Sequence, residues 1–345
     1  AKGESEPMAN NKAFKVKNGL ELAAYATDIS GTANDVFVYS TSLDSDGGAW
    51  RKRTQATSWY NETLNTSIRG SRREFPAVAV IVAADETIKI YDGDDPALPM
   101  WMIWPNSGMC GGTVPISSLH ALNGVLSTGG NTAGDGFRRI SYIDETFFQI
   151  RASDSLNRSA PFSQRSTYTG IPIDNTTYGQ IVNDIVNDVA MTVLPNAPID
   201  PATGLPAVTV AVATNGGVSV ITDAGDVWDI TGQYAATANI SFTDNNQILA
   251  TEQYSSYAGL YNIPASNVSY TTRLIEYSAV SIPTLAGGGH WIDALEGSGP
   301  STAIANINGL FLFDDDTTTP ANGMAAYVTS SYNTGWMNGD IKLAT

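Results

Sequence analysis

The sequence predicts an all-β fold, a β-propeller of about six to seven four-stranded blades. The first observation is that residues 186–232 contain four short extended runs joined by turn residues. The second is that units of the same kind recur along the chain at spacings of about 40 to 60 residues. The third is the composition: only 15% of the residues are charged and 32 of 345 are glycine. Such a composition is typical of turn-rich all-β proteins and not of helical bundles.

The central unit, residues 186–232, has the clearest blade pattern. Its runs VAMTVL, TVAVAT, VSVIT and VWDIT are alternating or β-branched, and an NGG turn at 215–217 and a DAGD turn at 223–226 separate the last three. Runs of this kind bounded by Asn-Gly and Asp/Gly clusters predict antiparallel strands joined by tight turns. One unit alone also fits the paired hairpins of a β-sandwich. Because the unit recurs, the propeller is favoured.

Further units repeat this order of strand and turn. They comprise AVAVIVAA, TIKIYD and MWMIW; ISSLHAL, VLSTGG, FRRISYID and TFFQIR; ANISFTD, QILATEQ, AGLYNIP and RLIEYSAVSI; and AIANI, LFLFDDD, GMAAYVTS and DIKLAT. A first unit is predicted from LELAAYAT, DVFVYST and WRKRTQAT, within residues 19–60. Residues 152–177 are predicted as a long irregular connection. The spacing of Ile181, Ile185 and Val186 after it predicts a short helix with one apolar face.

The predicted domain organisation is an N-terminal arm, residues 1–18, followed by one propeller domain, residues 19–345. The arm is polar and basic, with Lys12, Lys15 and Lys17 in its second half. Basic terminal arms are often disordered alone and become ordered on assembly. We therefore expect the arm to contact a neighbouring protein.

A second candidate contact lies in residues 50–75, which combine basic and aromatic side chains. The predicted interface residues, beside the lysines of the arm, are Arg51, Arg53, Arg72 and Arg73. Arginine and aromatic residues are enriched at protein interfaces. Arginines that pack their aliphatic stems on the outer strand of a blade would give the same composition. Both interpretations stay open at the level of sequence.

The charge of the chain excludes one class of partner. Residues 1–165 have a net charge of −2, whereas residues 166–345 have a net charge of −14 with only Arg273 and Lys342 as cations. A surface this acidic repels phosphate backbones, so nucleic-acid binding is not expected. No run of 18 apolar residues is present, so no membrane span is predicted. Cys110 is the single cysteine, so the sequence does not indicate a redox compartment.

Residues 40–50, STSLDSDGGAW, predict a structural turn formed by Asp44, Asp46, Gly47 and Trp50. In such a turn an aspartate accepts hydrogen bonds from backbone N–H groups, glycines take positive φ angles and the tryptophan packs between sheets. The stretch resembles the Asp-box of sialidase-type propellers, Ser-x-Asp-x-Gly-x-x-Trp, with one additional residue between Asp44 and Gly47. In that family the box is remote from the catalytic centre, so the resemblance implies a fold and no chemistry.

The sequence supports no familiar catalytic constellation. His120 and His290 are the two histidines, and neither has a partner at motif spacing. No Gly-x-Ser-x-Gly elbow, phosphate-binding Gly-Lys loop or His-Glu-x-x-His motif occurs. Sialidase-type propellers hold a carboxylate with three arginines from different blades, whereas ten of the eleven arginines here precede residue 166. The chain is therefore predicted not to be an enzyme. The alternative is a propeller glycoside hydrolase that acts on surface polysaccharide.

No cofactor or metal site is predicted. The acidic loops at residues 44–47, 92–95 and 314–316 offer oxygen ligands at the short spacing that Ca²⁺ sites use. None of them completes the twelve-residue calcium loop, so solvated turns are the favoured interpretation. Aromatic faces for a sugar are expected from a separate set, Tyr254, Tyr257, Tyr261, Trp291, Tyr332 and Trp336.

A second resemblance bears on biology. The segment MANNKAFKVKNGLE, and more loosely the stretch from IVNDIV to GVSVI, is similar to virion proteins of tailed phages from marine bacteria. The resemblance implies a structural tail or tail-fibre component, located in the extracellular virion and acting in assembly or host-surface attachment. Its expected partners are other virion proteins, further copies of itself in a symmetric assembly, and a host glycan.

Overall fold

The structure is a computed structural model. It describes residues 15–17, 33–84, 86–105, 108–110, 115–170, 173–174, 178–232, 236–253, 257–278, 290–292, 301–306, 309–314, 324–333 and 338–344. Helix accounts for 9% of the residues and strand for 43%, which confirms the predicted all-β class. The chain divides into two compact units: the first is Ala1–Val210 with Ile221–Val227, and the second is Ala211–Val220 with Trp228–Thr345. Among the described residues, no helix is long and apolar enough to span a membrane.

The first sheet is an antiparallel meander of five strands in the order β1-β2-β3-β4-β5. Its strands are β1 (Lys15–Lys17), β2 (Asp35–Ser40), β3 (Val78–Ala84), β4 (Thr87–Asp92) and β5 (Met100–Trp104). The last two match the predicted runs TIKIYD and MWMIW residue for residue. The first strand comes from the predicted arm, while LELAAYAT lies outside the described residues.

The second sheet has six antiparallel strands in the order β11-β10-β9-β8-β7-β6. Its strands are β6 (Ile116–Leu122), β7 (Val125–Gly130), β8 (Phe137–Ser141), β9 (Thr146–Ile150), β10 (Ser155–Asn157) and β11 (Ile173–Asp174). The prediction of an irregular connection over residues 152–177 is wrong in part, because β10 and β11 extend this sheet. Strands of two or three residues are too short to give an alternating pattern that sequence reasoning could detect.

The third sheet contains the central unit in the order β12-β13-β14-β15-β19. Its strands are β12 (Val186–Thr192), β13 (Thr209–Thr214), β14 (Gly217–Ile221), β15 (Val227–Thr231) and the two-residue β19 (Val268–Ser269), which is parallel to β15. The four strands predicted from VAMTVL, TVAVAT, VSVIT and VWDIT are confirmed.

Two more sheets follow in the second unit, in the orders β16-β17-β18-β20 and β21-β22-β23-β24-β25. The strands are β16 (Thr237–Phe242), β17 (Ile248–Glu252), β18 (Tyr257–Tyr261), β20 (Ile275–Ser278), β21 (His290–Ile292), β22 (Ser301–Asn306), β23 (Gly309–Asp314), β24 (Met324–Asn333) and β25 (Asn338–Ala344). Successive meanders of four to six strands are the blades of a β-propeller, and the predicted fold class is confirmed. The blade number stays a prediction.

The segment Ala49–Ala56 is a 3₁₀ helix, so the prediction of an extended WRKRTQAT run is wrong. The helix follows Gly48, which has a left-handed conformation with φ of 79°. Trp50 and Thr54 turn inward and are fully buried. The Thr54 hydroxyl donates to the Arg51 carbonyl oxygen at 2.8 Å. We infer that burial of Trp50 favours the 3₁₀ helix more strongly than the threonines of this segment favour a strand.

The predicted helix through Ile181, Ile185 and Val186 is also wrong. Residues 178–185 form bends and extended backbone, and β12 begins at Val186. The Ile185 amide donates to the Asn183 side-chain oxygen at 2.9 Å, and the Ile181 amide donates to the Arg151 carbonyl oxygen at 3.3 Å. An asparagine that bonds a backbone amide two residues later competes with helix formation.

The core of the first unit is an aromatic cluster. Trp59, Phe75, Trp101, Trp104 and Tyr142 are all 0–1% exposed. The Phe75 ring lies 4.8 Å from Trp101 and 5.0 Å from Tyr142, both edge to face. The Trp59 indole N–H donates to the Tyr142 carbonyl oxygen at 2.9 Å, and that of Trp104 donates to the Tyr142 hydroxyl at 2.8 Å. Rings with satisfied polar atoms make this cluster a rigid support for the strands around it.

The turn before the 3₁₀ helix contains Gly47 and Gly48. Both glycines have positive φ angles, but only Gly48 is crowded, so substitutions at the two positions test the described turn. A Cβ at Gly48 would lie 2.6 Å from the Thr41 Oγ1 atom, whereas a Cβ at Gly47 would meet nothing within 4 Å. We expect Gly48→Asn to lower the free energy of unfolding by about 2 kcal/mol and Gly47→Asn by less than about 1 kcal/mol. Urea denaturation followed by tryptophan fluorescence measures both, and equal losses would contradict the described turn.

Candidate functional site: a cleft in the first unit

The first unit contains a cleft of about 460 Å³ that combines polar and apolar side chains. We call it the Arg139 cleft. Its polar lining includes Arg139, Tyr178, Asp200 and Asp223, and its apolar lining includes Phe137, Ile150, Pro198, Ile199, Val208 and Ile221. Ile199 is 60% exposed, an unusual value for a large apolar side chain. The volume falls within the range of about 300–1,000 Å³ that is usual for small-molecule sites.

Strand alternation in β8 places Arg139 in the cleft. Successive side chains of a strand point to opposite faces, so Phe137 and Arg139 share the face that lines the cleft. Arg138 points the other way, is 2% exposed and is paired with Asp135. Phe137 pairs in register with Ile150 of β9, which also lines the cleft. Two adjacent arginines therefore have opposite roles, one in the interior and one in the cleft.

An aromatic pair holds Arg139 in place. Its guanidinium donates to the Tyr178 hydroxyl, and the Tyr178 ring packs edge to face on Phe148 with the centroids 5.2 Å apart. Phe148 pairs with Arg139 across the β8–β9 ladder. The Arg139 Nε atom is buried and has no hydrogen-bond partner among the described residues. Arg139 therefore lines the cleft with a guanidinium whose hydrogen-bond acceptor among the described residues is a hydroxyl and not a carboxylate.

Two turns bring the carboxylates to the cleft. The Asp200 carboxylate accepts a hydrogen bond from the Ala202 amide at 2.8 Å, which fixes the turn that it begins. Asp223 lies in the predicted DAGD turn, where the Asp226 amide donates to the Thr222 hydroxyl at 3.1 Å. Within the described part of the chain, the Asp223 carboxylate has no hydrogen-bond partner. The cleft thus offers one guanidinium donor and two carboxylate acceptors.

The predicted structural turn lies in the first unit away from the lining of this cleft. Asp44 is 6% exposed, and its carboxylate accepts hydrogen bonds from the Tyr39 hydroxyl at 2.6 Å, the Trp50 indole N–H at 2.7 Å and the Asn123 amide at 2.7 Å. Of the two carboxylates, that of Asp46 and not that of Asp44 accepts a backbone hydrogen bond within the turn, from the Gly48 amide at 3.1 Å. Burial raises the pKa of Asp44 to about 6, although the three donors oppose this rise.

The predicted interface arginines all make intramolecular contacts. Arg51 donates to the Phe75 carbonyl oxygen, Arg53 to Asp46 and Thr203, Arg72 to Asp92 and Asp94, and Arg73 to the Tyr60 carbonyl oxygen. These bonds agree with the alternative of arginines that pack on their own unit. Arg53, with 46% of its side chain exposed, remains open to a partner. Lys15 and Lys17 belong to β1, whereas Lys12 lies outside the described residues. The interface stays a prediction.

The acidic loop at residues 92–95 is occupied by protein groups. Arg72 lies 2.8 Å from Asp92 and 2.5 Å from Asp94, and the amides of Ala77 and Val78 also donate to Asp94. Among the described residues, no group of three or more His, Cys, Asp or Glu side chains is placed to hold a metal ion. Residues 315 and 316 of the third acidic loop lie outside the described residues.

Sequence reasoning did not single out Arg139, Tyr178 or Asp200. The available signal was the dipeptide Arg138-Arg139 inside the predicted strand FRRISYID, because alternation sends one of two adjacent arginines away from the core. Of the predicted sugar-binding aromatics, Tyr261 is 8% exposed and its burial raises its pKa to about 12. Tyr254 and Trp336 lie outside the described residues.

Comparison with known proteins finds similar folds at low identity. Neither a protein-family model nor a curated protein matches the chain. A streptogramin B lyase structure is 12% identical, covers 77% of this chain and 64% of its own, and has a TM-score of 0.36. Sqt1 of Chaetomium thermophilum, bound to the N-terminus of a ribosomal protein, is 12% identical over 73% of this chain and 66% of its own, with a TM-score of 0.41. The WD40 β-propeller domain of Doa1 is 11% identical over 77% and 78%, with a TM-score of 0.41.

The prediction that the chain is not an enzyme does not stand, because the structures with a similar fold include a lyase. The missing motifs excluded only chemistries with a recognisable sequence signature, and propellers are also found among lyases. The chain spans just under two thirds of the streptogramin B lyase and Sqt1 structures. At such identities the similarity transfers no activity, substrate or residue role to this chain.

Proposed function

We propose that the chain is a recognition component of the tail or a tail fibre of a tailed phage, and that the Arg139 cleft binds a glycan of the host surface. The observation that carries the proposal is the Arg139 guanidinium, which lines a cleft of about 460 Å³ and has no carboxylate partner among the described residues. Sites that recognise small molecules combine apolar walls with a few convergent polar groups, and the cleft has both.

The virion context rests on the sequence resemblance. The segment MANNKAFKVKNGLE is similar to the start of tail-fibre and other virion proteins of tailed phages. In this proposal the N-terminal arm, residues 1–18, contacts other virion proteins in a symmetric assembly, and Arg53 and Arg73 are exposed side chains of the predicted interface cluster. The acidic remainder of the chain keeps the assembly soluble and leaves recognition to local groups in the cleft.

Blocking the cleft is expected to abolish saccharide binding. Ala224 is exposed and lines the cleft, so Ala224→Trp fills the cleft without changing the core. We expect at least a tenfold loss of affinity for any bacterial surface saccharide that the wild type binds on a glycan array. The matched control is Ala152→Trp at another exposed turn outside the cleft, with affinity unchanged within about twofold. Equal binding by the Ala224 variant, or no saccharide bound by the wild type, would refute the proposal.

A second candidate function is cleavage of the bound polysaccharide. The specific observation is that two carboxylates, Asp200 and Asp223, line the same cleft, and glycoside hydrolysis uses a pair of carboxyl groups. Incubation of the purified protein with the bound saccharide distinguishes the two functions. New reducing ends that disappear in Asp200→Asn and in Asp223→Asn would establish cleavage, whereas binding without new reducing ends would establish recognition alone.

A further inference from the structure

We propose that the glycan bound in the Arg139 cleft is a sugar acid, a uronate-type residue whose carboxylate binds Arg139 and whose hydroxyls donate to Asp200 and Asp223. This inference rests on the proposed function, because it names the class of saccharide for that same cleft.

Arg139 differs from most arginines of the first unit because it has no carboxylate partner in the part of the chain that the structure describes. Ion pairs to aspartate or glutamate are formed by Arg51, Arg53, Arg69, Arg72, Arg138, Arg151 and Arg165. Among the described residues, Arg139 has only the Tyr178 hydroxyl as a hydrogen-bond acceptor. A guanidinium has five N–H donors in a planar fork that matches a carboxylate in two parallel bonds. A ligand carboxylate in the cleft would therefore give the Arg139 guanidinium a charged acceptor.

The other charges of the cleft select against simpler anions. Asp200 and Asp223 line it together with Arg139, so the charged side chains of the lining do not favour a dianion such as phosphate. Ionised carboxylates accept hydrogen bonds and cannot donate them. A ligand that satisfies all three side chains therefore needs one monoanionic group and several hydroxyl donors. A sugar acid has this combination, whereas a neutral sugar gives Arg139 no carboxylate and an aliphatic acid adds no hydroxyl donors for the aspartates.

The apolar wall suits the ring of such a sugar. Ile199, 60% exposed, and Pro198 lie on the loop that also provides Asp200. Tyr178 is partly exposed and is held by Phe148 and Arg139. Pyranose rings have apolar C–H faces that pack on such side chains, and water is displaced from both surfaces when they meet. The acceptors and donors then fix the orientation of the ring within the cleft.

The test compares three matched probes: glucuronic acid, its methyl ester and glucose. By calorimetric or NMR titration we expect the wild type to bind the acid at least tenfold more tightly than the ester or glucose. Arg139→Gln is expected to reduce binding of the acid to the level of glucose, and the control Arg53→Gln to leave all three affinities unchanged. Near-ultraviolet circular dichroism checks that the variants are folded; if Arg139→Gln is not, the comparison of acid and ester on the wild type decides.

The other possible outcomes distinguish a failure of the sugar-acid assignment from a failure of the proposed glycan binding. Equal binding of acid and ester, or an acid preference that survives in Arg139→Gln, would overturn the sugar-acid assignment while glycan binding stands. Competition by inorganic phosphate as strong as that by glucuronate would indicate a general anion site and would overturn the assignment as well. If no saccharide of the glycan array binds the wild type, the proposed function falls together with this inference.

Discussion

Replacing Arg165 with methionine is expected to lower the free energy of unfolding of the first unit by about 3–5 kcal/mol. The Arg165 side chain is 0% exposed. Its guanidinium donates to Glu62 at 2.7 Å and to the carbonyl oxygens of Ile103 at 2.7 Å and Ile68 at 2.8 Å. Methionine has a similar volume but no donors, so buried carbonyl oxygens and the largely buried Glu62 carboxylate would each lose a hydrogen-bond donor. The loss is large because the unpaired groups cannot reach water.

The control for this prediction is Arg53→Met. Arg53 also contacts an aspartate, Asp46, at 3.0 Å, but 46% of its side chain is exposed. An exposed pair contributes about 0–1 kcal/mol, so the control should unfold almost as the wild type does. Urea unfolding followed by tryptophan fluorescence measures both variants. A loss of less than about 1 kcal/mol for Arg165→Met would mean that Arg165 is not the buried partner described here.

A double-mutant cycle assigns the loss to the ion pair. Glu62→Gln removes the charge that Arg165 and Arg69 share, the latter at 3.7 Å. Burial lowers the pKa of Arg69 to about 10, and the carboxylate of Glu62 opposes this effect. We expect the double variant to be more stable than the sum of the single losses predicts, by about 1–3 kcal/mol, because in the Glu62→Gln background the change Arg165→Met no longer removes a cation from a largely buried carboxylate.

The sequence predicts strands well wherever turn residues bound them on both sides. Strands β4, β5, β6 and β7 match their predicted runs without a shift, since each has alternating or β-branched residues between Gly, Asp or Asn turns. Prediction failed where tertiary contacts overrule local preference. Ala49–Ala56 forms a 3₁₀ helix because this conformation buries Trp50 in the core. The predicted helix through Ile181 and Ile185 does not form. The Ile185 amide donates to the Asn183 side-chain oxygen and not to a backbone carbonyl of a helix.

The candidate site was less predictable than the fold. The DAGD turn could be predicted, but nothing in the sequence indicates that Asp223 lines the same cleft as Arg139, more than 80 residues earlier. Sequence spacing carries information about neighbours in one element and not about which turns converge. The two adjacent arginines of β8 illustrate what the sequence cannot predict. Alternation predicts that their side chains point to opposite faces of the strand, but only the structure identifies Arg138 as the one that is paired with Asp135.

The last prediction concerns the pH dependence of stability that Asp44 introduces. Its folded pKa of about 6 lies above the ordinary aspartate pKa of 3.8. Between these values the folded state keeps a proton that the unfolded state releases, so the contribution of Asp44 to stability decreases as pH rises through this window. From pH 4.5 to pH 7.5 the decrease is about 2 kcal/mol. Asparagine does not titrate, so Asp44→Asn removes this dependence while it keeps the size of the side chain.

The measurement is the difference in free energy of unfolding between wild type and Asp44→Asn, obtained from urea denaturation at several pH values from 4.5 to 7.5. Other titrating groups are common to both proteins and cancel in the difference. We expect the advantage of the wild type to shrink by about 2 kcal/mol over this range. A constant difference would show that Asp44 is already ionised at pH 4.5. In that case the Tyr39, Trp50 and Asn123 donors would outweigh the effect of burial on this carboxyl.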